Sequence, residues 1–243
     1  ICGVEQPGEV ADVLVTMDAE RREIKDGALL IRDNVIEMLG ASAELHQRLQ
    51  TAGMDSLPGG GAEILDDEIR NRISPFKNSA DEWLEVMRVA HELGMRSSAT
   101  MVFGFQETAE HILMHLDRLR SLQDDTGGFV SYIPLRFHPA NTVLSHLPLV
   151  GDEVTLREIA IGRLVLDCFP HVKAYWIMTG LPAGRRALNG GADDFDGTVV
   201  EEKITHMAGA TTPERLSEDD LRAIIEEAGR EPCRRDTLYN PRK

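Results

Sequence analysis

Hydrophobic positions change their rhythm once along this chain. Between residues 10 and 40 they come as short runs, VADVLVTM (10–17), GALLIR (27–32) and NVIEMLG (34–40), separated by Gly, Asp and Asn. Short runs rich in Val, Ile and Leu, punctuated by turn formers, predict strands, and Asp33-Asn34 fits a tight hairpin turn. The expectation for residues 1–45 is a small antiparallel β-meander. From about residue 46, apolar runs alternate with stretches of helical spacing. MDSLPG (54–59) reads as a strand and residues 64–73 as a short helix. The capping box Ser79-Ala80-Asp81-Glu82 opens a helix that sets Trp83, Val86, Met87 and Ala90 on one face and ends at Gly94.

The alternation continues. RSSATMVFG (96–104) is a strand with a helix after it over 108–122, and GFVSYIPLRFHP (128–139) is a third strand. A second capping box, Thr155-Leu156-Arg157-Glu158, predicts a helix start, with Pro170 closing the helix. HVKAYWIM (171–178) reads as a fourth strand with a helix over 181–188, and GADDFDGT (191–198) as a short last strand with a helix over 199–208. A terminal helix over 217–228 aligns Leu221, Ile224 and Ile225. Strand and helix in regular alternation predict an α/β fold, a parallel sheet with crossover helices. Five parallel strands cannot close an eight-stranded barrel. The expected architecture is therefore a partial, open TIM-type barrel of five βα units over 46–243, preceded by the meander over 1–45.

Composition narrows the function. A chain of 243 residues with 42% hydrophobic residues can bury a sizeable core. The net charge of −15, without a basic run, argues against nucleic acid and anionic membrane as partners. No apolar run reaches the ~18 residues of a membrane span, and no signal peptide is read at the start; the opening at Ile1 reads as a fragment. Cys2, Cys168 and Cys233 stand far apart, which fits neither a CxxC zinc pair nor a disulfide framework and suits a reducing cytoplasm. No three-cysteine cluster motif is present.

In parallel sheets ligands meet the carboxyl ends of the strands, so the candidate chemistry lies there. Gly59-Gly60-Gly61-Ala62-Glu63 follows the first parallel strand; Gly60 and Gly61 are either close-approach positions for an anionic ligand or a plain tight turn. Gly104-Phe105-Gln106-Glu107-Thr108 follows the second. Glu107 there could accept hydrogen bonds from a ribose or an amine, or serve the helix start. Arg136, His138 and Asn141 follow the third: an Arg can grip a carboxylate with two bonds, and a His can move a proton. Tyr175 and Trp176 offer rings that either stack on a base or benzoate or fill the core. His111 and His115 are four apart, but HILMH lacks the Glu of HExxH, and no GxSxG occurs.

The stretches AGMDSLPGGGAEIL, EWLEVMRVAHELGMRSSATMVFG, FHPANTVLSHLP, KAYWIM, GADDFDGTVVEEKITHMAGA and EAGREPCRRDTLYN carry a family likeness. From about residue 46 to 240 the chain resembles the aminodeoxyfutalosine synthases, radical S-adenosylmethionine (SAM) enzymes of menaquinone biosynthesis. The sister cyclic dehypoxanthinyl futalosine synthases share the earlier stretches and remain the alternative. The resemblance implies a TIM-type barrel with a [4Fe-4S] cluster on a CxxxCxxC loop. It also implies a 5′-deoxyadenosyl radical, cleaved from SAM, that adds to the small-molecule substrate 3-[(1-carboxyvinyl)oxy]benzoate. Carried over by position, Gly104 and Glu107 lie beside the adenosine and Glu63 faces the same cavity. Arg136 and His138 are the candidates for the substrate carboxylates. The cluster loop has no counterpart among these residues, so the chain alone is expected to be inactive, or to be a non-catalytic half-barrel that complements another chain. Residues 8–45 resemble instead the opening β-segment of amidohydrolase-superfamily deaminases, with a junction near Leu45-His46; a hydrolytic deaminase is thus a further alternative, although the segment carries no metal ligands.

Overall fold

The computed structural model describes residues 10–15, 23–32, 35–74, 76–199 and 202–242, with side chains from residue 47 onward. Strands β1 (Val10–Val15), β2 (Glu23–Arg32) and β3 (Val35–Ala41) form an antiparallel sheet in that order. The expected meander is there; its Asp33-Asn34 turn lies outside the described residues. Helix α1 (Ser42–Thr51) follows and packs on β2, β3 and the later helix α3. The boundary expected at 45/46 falls inside this helix.

The second sheet is parallel, in the order β4 (Ser56–Leu57), β5 (Arg96–Phe103), β6 (Phe129–Arg136) and β7 (His171–Val172). A parallel bridge between Lys173 and Asp194 adds a fifth position. The crossovers between β4 and β7 are helical: α2 (Asp67–Ile73), α3 (Ala80–Glu92), α4 (Ala109–Thr126) and α5 (Asp152–Val165). Among the described residues the sheet does not close on itself, as five parallel positions require.

Local chemistry explains these starts and stops. Ser79 Oγ accepts from Glu82 N, and the Glu82 carboxylate accepts from Ser79 N, so the predicted capping box forms. Trp83, Met87 and Ala90 are buried as their spacing requires. Gly127, at φ 62°, ends α4 in the left-handed conformation. In the core, Phe129 stacks on Phe169 at 5.2 Å, against Ala99, Met101 and Tyr132.

Other expectations are corrected. Helix α5 starts at Asp152 behind Gly151, not at Thr155. Asp152 and Glu153 suit the positive end of the helix dipole, and Thr155 Oγ1 turns back to the Gly151 carbonyl. The fourth strand stops at Val172. Ala174 N still donates to Asp194 O, but the N–H groups of Met178, Thr179 and Gly180 find Tyr175 and Trp176 carbonyls in a helical turn, α6 (Trp176–Thr179). Helix α7 (Leu181–Ala187) matches its expectation. The helix expected over 199–208 is only α8 (Ile204–Met207); residues 200 and 201 lie outside the described set. Helix α9 (Glu218–Glu227) carries a capping box of Ser217 and Asp220.

Candidate functional site

The carboxyl ends of the parallel strands carry the strained backbone. Non-glycine residues at positive φ are uncommon and gather at functional sites. Four occur among the described residues, and three follow sheet positions: Glu63 (φ 43°) after β4, Gln106 (φ 70°) after β5 and, at the far flank, Asp196 (φ 69°) after the Asp194 bridge. The fourth, Tyr239 (φ 65°), sits on the carboxyl-terminal tail. A recess of about 180 Å³ opens on this face between Glu63, Phe105, Phe137, Val143 and Leu144. A larger hollow of about 840 Å³ runs along segment 191–198 between α9 and residues 230–235. It lies beside the free flank of the Asp194 position, where no described strand follows. The strand-end face is the candidate site: Glu63 lines the recess and Gln106 follows Phe105 in its wall, whereas Asp196 lines the larger hollow.

The glycine turn is tied down by its carbonyls. Gly59 O accepts from Thr100 Oγ1, Gly60 O from Trp83 Nε1 and Gly61 O from Arg70 Nη1. Arg70 is buried and also donates to Ala62 O and Asn78 O. Gly59 N donates to Ser98 Oγ, whereas the amides of Gly60 and Gly61 meet no acceptor among the described residues and are the groups left for a ligand. Glu63 pairs with Lys77.

Glu107 accepts from the backbone N–H groups of Gly104 (2.8 Å) and Phe105 (2.6 Å), so its carboxylate shapes the turn after β5. Gly104, at φ 110°, brings that turn against Phe137 and Val150. Arg136 is buried; it donates to Asp152 (3.0 Å) and to the Met178 carbonyl (3.1 Å), and Gly180 leaves the space beside its Nη2. His138 Nε2 donates to the same carbonyl at 2.9 Å, since a carbonyl can only accept. Burial holds the His138 ring below its ordinary pKa, outweighing that bond, with Arg136 and His206 acting in the same direction as burial. At pH 7 His138 is therefore a neutral imidazole. Asn141 Nδ2 donates to Met207 O (2.8 Å) at the rim. Trp176 is fully buried and gives its N–H to Gly197 O, so the ring belongs to the core and not to an open stacking platform. His115 is fully buried, with Nδ1 accepting from Leu65 N, and its burial pushes the ring down to about 3.

The structure thus gathers Glu63, Gly104, Glu107, Arg136 and His138 on one face and sets Trp176 behind it. Sequence reasoning missed the groups that hold the face in place. Arg70 and Lys77 come from the α2 region, and nothing local marks them. Lys173 pairs with Asp196 (2.6 Å), and the Asp194 carboxylate takes two bonds from Arg235 (3.0 and 2.6 Å) and one from Tyr239 Oη (2.8 Å). Burial alone would raise the Asp194 carboxyl, but Arg235, Lys173 and Tyr239 together hold it below its ordinary value. The acidic run GADDFDG was the available signal.

The Radical SAM superfamily matches residues 11–119, and the CofH/MqnC C-terminal region matches residues 126–243. The chain carries a radical SAM region followed by a CofH/MqnC C-terminal region. The radical SAM match begins within the stretch likened above to an amidohydrolase segment and runs through α1. An aminodeoxyfutalosine synthase of Thermus thermophilus is 48% identical over 201 residues, covering 81% of this chain and 54% of the relative. A cyclic dehypoxanthine futalosine synthase of Halalkalibacterium halodurans is 37% identical, covering 81% and 52%. A 5-amino-6-(D-ribitylamino)uracil–L-tyrosine 4-hydroxyphenyl transferase of Methanopyrus kandleri is 37% identical, covering 91% and 59%. The chain spans about half the length of these curated relatives. The crystal structure of methylornithine synthase (PylB) superposes with a TM-score of 0.61 at 16% identity, covering 80% of this chain and 57% of that one. That likeness supports the expected fold, an open part of a TIM-type barrel.

Proposed function

We propose that these residues supply the substrate-side part of an adenosyl-transferring radical SAM synthase of the aminodeoxyfutalosine type. The observation that carries this reading is the 48% identity to the Thermus thermophilus synthase across 81% of the chain. The cyclic dehypoxanthine futalosine synthase reading stays second, on its 37% relative. In this reading the free amides of Gly60 and Gly61, the turn shaped by Glu107, and the neutral His138 beside Arg136 bind and orient SAM and the enolpyruvyl benzoate. Glu63 and Asn141 stand at the rim.

The superfamily implies an iron–sulfur cluster, and the donors present do not fit one. Cys168 is half-buried just before β7, at the opposite end of the sheet from the recess, and Cys233 is exposed on the tail; Cys2 lies outside the described residues. A cluster needs several thiolates at one point.

The test is a graft: residues 46–243 joined behind the leading part of the Thermus thermophilus relative, reconstituted without oxygen. It is given SAM, a reductant and 3-[(1-carboxyvinyl)oxy]benzoate, and the products are read by mass spectrometry. Aminodeoxyfutalosine from the graft, with none from the 243-residue chain, is the expected result. Conversion of dehypoxanthine futalosine instead would favour the sister reading, and turnover by the unaided chain would refute the partial-site reading.

A further inference from the structure

His206 sits between two carbonyl oxygens. Its Nδ1 lies 2.6 Å from Glu202 O and its Nε2 lies 2.6 Å from Thr212 O. A carbonyl cannot donate, so each ring nitrogen must carry a hydrogen, and a ring with both is the imidazolium. The loop it ties, residues 202–212 around α8, leans on the end of β6. Asn141 donates to Met207 O at 2.8 Å. Gly209, at φ 103°, packs so closely that a Cβ there would lie 2.7 Å from Ala140 Cβ. Thr212 Oγ1 donates to Ile177 O at 2.9 Å, one residue before the carbonyl that receives Arg136 and His138.

We propose that His206 is a pH-operated clasp, fastening the 202–212 loop at both ends in the fold that seats it on Ala140, Asn141 and Ile177 while its ring is protonated, and loosening that fold when the second hydrogen is lost. The functional weight of the clasp rests on the site assignment above; its chemistry does not. The bond to Thr212 O favours the cation most. Burial opposes it, and the bond to Glu202 O and the carboxylates of Glu214 and Glu202 add to it. From the segment after β6 the facing titratable ring is His138, whose burial holds it below its ordinary pKa; Lys203 is the neighbouring cation within the loop. The direction follows. The folded ring has a pKa above its ordinary 6.5, so the contribution of the clasp is complete below about 6.5 and is lost as pH rises through the folded value.

The test is hydrogen–deuterium exchange of the 243-residue protein between pH 5.5 and 9, with each rate divided by the intrinsic rate at that pH. Protection of peptides within 202–212 should fall by a factor of about ten for each pH unit separating the folded pKa from 6.5. Above pH 6.5, where neither buried histidine takes up a proton on unfolding, peptides of α4 should stay level. In His206→Gln the 202–212 peptides should be weakly protected and equally so at both ends of the range. PH-independent protection in the wild type, or the same fall persisting in His206→Gln, overturns the proposal. A second reading needs no variant: the His206 ring titration by NMR should give a pKa above 6.5, and a value at or below 6.5 overturns it. Neither measurement involves SAM or turnover, so failure of the clasp and failure of the proposed function are distinguishable.

Discussion

Replacing Gly59 by Ala tests how the strand-end face is built. A Cβ at 59 would lie 2.2 Å from Ser98 O, 2.6 Å from Ser98 C and 2.8 Å from Ala99 Cα. All three are backbone atoms of β5, so no side chain can swing away. A carbon sits comfortably against a carbonyl oxygen at about 3.3 Å, so β4 and β5 must part by roughly 1 Å at this point. That shift breaks the bonds Gly59 makes with Ser98 Oγ (2.9 Å) and Thr100 Oγ1 (2.5 Å). Overpacking of about 2 kcal/mol and two lost bonds of about 1 kcal/mol each give a loss of about 4 kcal/mol. In urea, at a slope of about 2 kcal/mol/M, the midpoint should fall by about 2 M. The neighbours supply the control. A Cβ at Gly60 meets nothing within 4 Å, so Gly60→Ala should stay within about 0.5 kcal/mol. Gly61, at φ 83°, should lose about 1 kcal/mol from backbone strain alone. Equal losses at 59 and 60, or a loss at 59 of no more than about 1 kcal/mol, would refute the reasoning.

Other outcomes follow from the same geometry. Glu107→Ala should lower stability by about 2 kcal/mol in urea melts, because two backbone N–H groups lose a charged acceptor; an unchanged midpoint would mean that Glu107 serves only a ligand. Arg235→Ala should cost about 2 kcal/mol at pH 7, since Lys173 and Tyr239 still attend Asp194. Asp194 is held below its ordinary pKa of 3.8. The difference should therefore persist above that pH and shrink as pH falls through the folded value, which acid titration of both proteins would read. Burial pushes His91 down to about 4 and His115 to about 3. Both bind protons more readily unfolded, so their contribution should fade as pH drops from about 6.5 towards 4; the fade should be shallower in His91→Asn.

The parts legible from sequence were those where local and tertiary chemistry agree. The Ser79 capping box and the Trp83, Met87 and Ala90 stripe set α3, and the long apolar runs at 96–103 and 129–136 form ladders along their length. The fourth strand misled because its apolar run continues past the last bridge, while Trp176 turns inward to fill the core and its N–H reaches Gly197 O. The first parallel strand is only two residues long because Gly59 bonds to the Ser98 and Thr100 side chains on β5. At the candidate site, the strand-end rule put Glu63, Gly104, Arg136 and His138 on the face where the structure has them. It could not tell that Glu107 is consumed by its own turn, or that Arg136 is already balanced by Asp152. Arg70 was invisible, because burying a guanidinium against three carbonyls depends on where residues 61, 62 and 78 end up.

The site assignment itself meets its most direct test in exchange mapping of the grafted enzyme with and without SAM and 3-[(1-carboxyvinyl)oxy]benzoate. Ligand-dependent protection should fall on peptides holding Gly60 to Glu63, Gly104 to Glu107 and Arg136 to Asn141. Protection concentrated on residues 191–198 and 230–235, along the larger hollow, with the strand ends unchanged, would contradict it.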